Sequence, residues 1–169
     1  RLGYGDRSGN ALWTDISLEA EARRQQALEN FQQQLAVIEP AGLSAETRLN
    51  RRMLLRDIRE EQVAYEQGLH LMPINMRSGP QHAHGMIERL PFNIEQDYQD
   101  WLARLRELPK RLEEYTAILN EEIARNRVQA LAVMQRVPDQ IDRVVGSDPE
   151  NSPFYKAFLL LPDTLDAQT

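Results

Sequence analysis

The chain has 169 residues, 41% of them hydrophobic and 27% charged, with a formal net charge of −6. That length supports one hydrophobic core and asks for no second. The acidic balance argues against a nucleic-acid partner, whose phosphates draw on clustered Lys and Arg. No apolar run approaches the ~20 residues that cross a bilayer, and the lack of Cys excludes disulfides, thiolate metal sites and a cysteine nucleophile.

Arg supplies 18 of the 20 basic residues, with Lys only at 110 and 156. The planar guanidinium fork suits phosphate or carboxylate recognition. No basic stripe is visible in the sequence, however, so arginines spread over solvated helix faces are the expectation.

In chain order, Ser17 is placed as an N-cap, with Glu19 and Glu21 in the first turn, where the helix dipole favours negative charge. A helix is expected over about 18–38, with Leu28, Phe31, Leu35 and Ile38 on one face. Glu39-Pro40-Ala41-Gly42 ends it. Ser44 then caps a second helix over about 44–67, which carries Leu54, Ile58, Tyr65 and Leu69 on one face and stops at Gly68. Two helices of ~30 Å joined by a short loop must form an antiparallel hairpin.

From 70 to 92 the pattern dissolves, interrupted by Pro73, Gly79, Pro80 and Gly85; the expectation is an irregular loop with a short helical turn at 80–89. Asn93 and Gln96 form a capping pair, and Pro91-Phe92 supplies an apolar residue to staple onto the first turn. The helix that follows, about 94–108, places Trp101, Leu105 and Leu108 on one stripe, and Pro109 kinks or divides it. The run resumes over about 110–134, and Pro138 opens a last helix over about 138–145. The apolar tail SPFYKAFLLLP must pack against something, and DTLDAQT follows it without a terminal cap. The fold class is therefore all-α: an antiparallel helical hairpin plus kinked long helices, read as a single lobe over 1–169 that belongs to a larger protein.

Four constellations invite chemistry. His82 and His84, with His70 nearby, could converge on a metal, although zinc asks for three or four ligands; no H-E-x-x-H is present, and surface histidines are the expectation. The pairs Glu60-Glu61, Glu113-Glu114 and Glu121-Glu122 lack the contrasting environments that separate two carboxyl pKa values, so a solvated surface is expected. Tyr98, Trp101 and Tyr115 could line a cleft, with core packing the leading expectation at helical spacing. No G-x-S-x-G elbow, phosphate loop or dinucleotide fingerprint occurs. No catalytic, cofactor-binding or metal-binding residue is therefore assigned.

Taken in order, GYGDRSG, the helix after DIS, the helix after LSAETRL, the block QDYQDWLARLRELPKRLEEY and the closing SPFY resemble the N-terminal third of the bacterial family catalogued as domain of unknown function 885. The most specific of these is the block QDYQDWLARLRELPKRLEEY, within the informative stretch Leu90 to Leu119. The resemblance implies a large helical zinc-peptidase relative whose H-E-x-x-H helix lies downstream of anything present here. It departs at NEEIARNRVQALAVMQRVPDQI, where the family usually has a Gly- and Pro-containing stretch. The family's zinc ligands and catalytic Glu have no matching positions.

The resemblance therefore implies a scaffold or cleft-wall lobe with no catalytic residues or cofactor of its own. Zinc would belong to the full-length parent, along with a peptide substrate, and the location would be secreted or periplasmic. The lobe's partners would be the remainder of its own polypeptide or a neighbouring copy. Because the chain begins at Arg1 and not at Met, the natural gene is expected to be longer. The competing expectation is a self-contained helical module that binds a protein or peptide in an apolar groove.

Overall fold

Ser17 and Ser44 each open a helix in the computed structural model, which describes residues 6–146 and 148–160. Helix α1 runs Leu18–Ala36, and the Ser17 hydroxyl accepts from the Ala20 amide at 3.2 Å. Helix α2 runs Ala45–Glu66, and Ser44 accepts from the Thr47 amide at 3.1 Å. Caps of this kind stabilise by about 1 kcal/mol each. A 3-10 turn at Pro40–Gly42 reverses the chain, and α1 and α2 pair as a hairpin. Arg51 Nε donates to the Leu35 carbonyl at 3.0 Å, and Gln62 donates to Gln32 at 3.0 Å, so the two helices run antiparallel. Gly68 ends α2 in the left-handed region at φ 72°, where an L side chain is strained.

The hairpin's apolar faces are less covered than the periodicity predicts. Ile58 is buried and Leu28, Leu35 and Tyr65 are half-buried, but Phe31, Ile38, Leu54 and Leu69 are exposed. The main packing partner of α1 is α2, so a stripe wide enough for two neighbours is covered by one.

A 3-10 turn at Leu69–Leu71 leads into a loop stitched by its own polar groups. Asn75 Oδ1 accepts from the amides of Arg77 at 2.8 Å and Ser78 at 3.0 Å. Buried Gln81 donates to the carbonyls of Asn75 and Ser78 at 2.8 and 3.1 Å, and to Gln140 at 3.3 Å. Gly79 sits at φ 129°, and a Cβ there would meet Gln81 Oε1 at 2.4 Å. The expected helical turn at 80–89 is a run of 3-10 geometry over Pro80–Arg89, long for that form.

Helix α3 spans Glu95–Arg106. The expected Asn93–Gln96 cap is replaced by a cap one residue later: Ile94 is the capping position, and Asp97 accepts from the amides of Asn93 and Ile94 at 2.9 and 3.2 Å. An aspartate side chain is shorter than Gln and reaches those orphan donors while buried beneath Arg7, with which it pairs. Gln96 instead turns outward to Asp100 at 2.8 Å. The staple forms as expected, with the Phe92 and Tyr98 rings 5.2 Å apart.

Pro109 divides the long run. Helix α3 stops at Arg106, Glu107 serves as the joint, and α4 restarts over Leu108–Ala124 with Pro109 in its first turn, where the missing amide costs nothing. The expectation of one helix over 110–134 does not hold. The Asn126 amide donates to the Ile123 carbonyl and the Arg127 amide to the Glu122 carbonyl, both at 3.0 Å, with Asn126 at φ 52°. This Schellman closure terminates α4, because a left-handed residue turns the next amide back onto the last turn. A short helix α5 at Leu131–Met134 and helix α6 at Val137–Val145 follow.

The tail finds its partner. Trp101 is 0% exposed and clusters with Leu90 and Ala157, and its indole donates to the Phe154 carbonyl at 3.1 Å. Met86, Ile87, Leu105 and Phe158 pack around this cluster. The described residues thus form helices and no strand, an all-α fold, and none of the helices is long and apolar enough to cross a membrane. Of the stretches read from sequence, Gly3–Gly5, Ser147 and the end of the tail from Leu161 to Thr169 lie outside the described residues.

Candidate functional site

The three histidines do not converge. His70 stacks on Tyr65 with ring centroids 4.3 Å apart, and burial holds its pKa below the usual value, against a smaller opposing pull from Glu21. His82 Nε2 faces the Met76 carbonyl at 3.1 Å, while His84 packs edge-on against Phe154. Only His82 is exposed; His70 and His84 are half-buried, because their segments fold onto α2 and onto the tail. Among the described residues no group of three or more His, Cys, Asp or Glu is arranged to hold a metal. This donor set does not fit a zinc site, and no step through zinc is assigned to the chain.

The glutamate pairs are not uniformly solvated. Glu60, Glu61 and Glu113 are exposed. Glu114 accepts from Arg111 and from the Ile16 amide, both at 3.2 Å. Glu122 is 3% exposed and accepts from the Gln129 amide at 2.8 Å. Burial pushes the Glu122 carboxyl above its ordinary value, with that hydrogen bond opposing the shift. The local pattern shows Glu121-Glu122 as one polar doublet; the turn after α4 separates them by folding the chain back over Glu122 alone.

Of the three aromatic residues, Tyr98 and Trp101 are buried, and Tyr115 lines an open cleft of about 810 Å³. The cleft lies between the Gly9–Thr14 segment, the 77–89 segment and the α3–α4 arm. Arg104 ties these walls together: its Nε donates to the Asn10 carbonyl at 2.7 Å and its Nη2 to the Gly9 carbonyl at 2.6 Å. Trp13 returns the link, donating to the Arg104 carbonyl at 2.7 Å, and its ring lies 5.0 Å from the Arg104 guanidinium. One helical joint further on, Arg111 donates to the Thr14 carbonyl and lies 5.0 Å from the Tyr115 ring.

Sequence reasoning missed this site. Arginines on solvated faces are the expectation, and Arg77 and Arg89 are indeed exposed while Arg104 is buried and Arg111 half-buried, yet all four line the same cleft, against the single lining glutamate Glu88. Arg104 is buried at 2% exposure, and desolvation pulls its pKa below the ordinary arginine value, partly offset by Asp100. The available signal was the pairing of an aromatic segment, ALWT, with Arg at 104 and 111, but nothing local says that these stretches, about ninety residues apart, meet.

No curated protein and no solved structure matches the chain in comparisons of sequence and fold. A family model does match, over residues 1–169, and its description is "Bacterial protein of unknown function (DUF885)". With a match that spans every residue from the ALWT segment through the α3–α4 arm to the tail, the chain belongs to this bacterial family.

Proposed function

We propose that the chain is the N-terminal scaffold and cleft-wall lobe of a longer, secreted or periplasmic, zinc-dependent peptidase-like hydrolase. The observation that carries this reading is the number of large apolar side chains left exposed on the hairpin: Phe31 is 54% and Val37 84% exposed, and Leu49, Met53 and Leu54 are exposed too. Large apolar side chains left in solvent along one hairpin fit a face that another body covers. In this reading the lobe contributes shape, an aromatic and arginine-lined wall and no catalytic group; any zinc sits in the downstream sequence.

The test is to express the gene's full reading frame beside the 169-residue chain and to assay both on an internally quenched peptide with and without zinc. Activity in the long protein alone is the expected result. Zinc-dependent hydrolysis by the 169-residue chain, or a stop codon directly after Thr169, would overturn it. The second reading, a self-contained helical module that binds a protein or peptide, is favoured by the docking of the tail on Trp101 and by the cleft itself.

A further inference from the structure

The cleft between the Gly9–Thr14 segment and the α3–α4 arm has an uncommon electrostatic makeup for a chain of net charge −6. Four arginines face one glutamate there. Arg111 is partly neutralised by Glu114 at 3.2 Å. Arg77, Arg89 and Arg104 have no ion-pair partner among the described residues, although Asp100 stands one turn before Arg104. Arg104 is the important one. Its Nε and Nη2 are spent on two backbone carbonyls, and Nη1 has no hydrogen bond among the described residues. Asp100 offsets only part of the cost of burying this guanidinium and makes no ion pair with it, so an anion brought alongside recovers more of that cost.

The remaining lining gives the ligand a body as well as a charge. Leu12, Trp13, Met86 and Tyr115 offer apolar and aromatic surface beside the guanidinium groups. The volume, about 810 Å³, falls in the range of small-molecule pockets. Arginine forks pair with planar carboxylates through two parallel hydrogen bonds, a match of geometry as well as charge.

We propose that this cleft binds a carboxylate carried on an aromatic or apolar body of about one or two amino-acid residues, with Arg104, Arg77 and Arg89 facing the carboxylate and Trp13 and Tyr115 packing against the body. The site stands on this chain's own residues, so its outcome is independent of whether a longer protein hydrolyses anything.

The chain contains its own reporter. Of its two tryptophans, Trp101 is fully buried in the core and Trp13 lines the cleft. N-acetyl-L-phenylalanine is expected to change tryptophan emission saturably, whereas N-acetyl-L-phenylalanine amide, which lacks the charge, leaves it unchanged. Trp13→Phe abolishes the signal while calorimetry still detects binding. The side chains of Arg77 and Arg89 are exposed and hold no other part of the described structure, so the double variant Arg77→Gln/Arg89→Gln should fold, as circular dichroism checks, and should weaken binding about ten-fold. Equal binding of acid and amide, no saturation with either, or unchanged affinity in the double variant would overturn the proposal. Saturation by inorganic phosphate at the same midpoint as the acid would overturn the carboxylate assignment and leave a general anion site.

Discussion

Glu122 shows how a single residue departs from its local pattern. It follows Glu121 on the same helix, but Glu121 reaches out to Arg125 at 2.5 Å while Glu122 is buried under the chain reversal and holds the Gln129 amide at 2.8 Å. A carboxyl raised by burial binds its proton more tightly in the folded state than in the unfolded one, where its value is near 4.5. On this group's account, stability falls as pH rises from about 4.5 through the raised folded value, and the full penalty is present above it. Glu122→Gln keeps an oxygen to accept from Gln129 and removes the titration. The variant is expected to equal or exceed the parent at pH 7, by less than about 1 kcal/mol, with the difference shrinking towards pH 4. Urea midpoints across that range check it; an advantage that grows at acid pH would contradict the assignment. The same burial logic made Arg104 unreadable from sequence, because its two carbonyl acceptors lie more than ninety residues away.

At the scale of elements, the two serine caps, the Pro109 division and the Gly68 stop follow from local chemistry and stand where the periodicity places them. The stretch 110–134 does not, because its apolar residues continue at helical spacing beyond the point where Asn126 turns left-handed. Asn tolerates that region better than other L residues, but it is also an ordinary surface residue of helices, so the signal was ambiguous where Gly would have been plain. Asn126→Ala is expected to lower stability by about 1 kcal/mol, the lower end of the left-handed penalty, and Asn126→Gly to be at least as stable as the parent. Thermal or urea denaturation of the two variants checks this. An alanine variant as stable as the parent would mean that α4 can run on without the Schellman closure.

The whole molecule is divided between a well-filled end and an open one. The α3 helix, the 80–89 turn and the tail bury Trp101, whereas the turn end of the hairpin leaves Phe31, Val37 and Met53 in solvent. Side chains this exposed contribute little to folding. The triple variant Phe31→Gln, Val37→Lys, Met53→Gln is therefore expected to keep the unfolding midpoint to within about 0.5 kcal/mol per site. Loss of the folded state would show instead that these residues are part of the core.

The all-α class, the antiparallel hairpin, the caps and breaks, and membership of a bacterial helical family are legible in the residues alone, because each rests on positions close in the chain or on their order. That four arginines meet Trp13 and Tyr115 in one cleft, that the tail closes over Trp101, and that half of the hairpin's apolar stripe stays open emerges from long-range packing alone. A helical period states that a face is apolar or charged; it carries no information about which distant face it meets. That choice is made by packing between segments tens of residues apart, through partners such as Arg104 with Gly9 and Trp101 with Phe154.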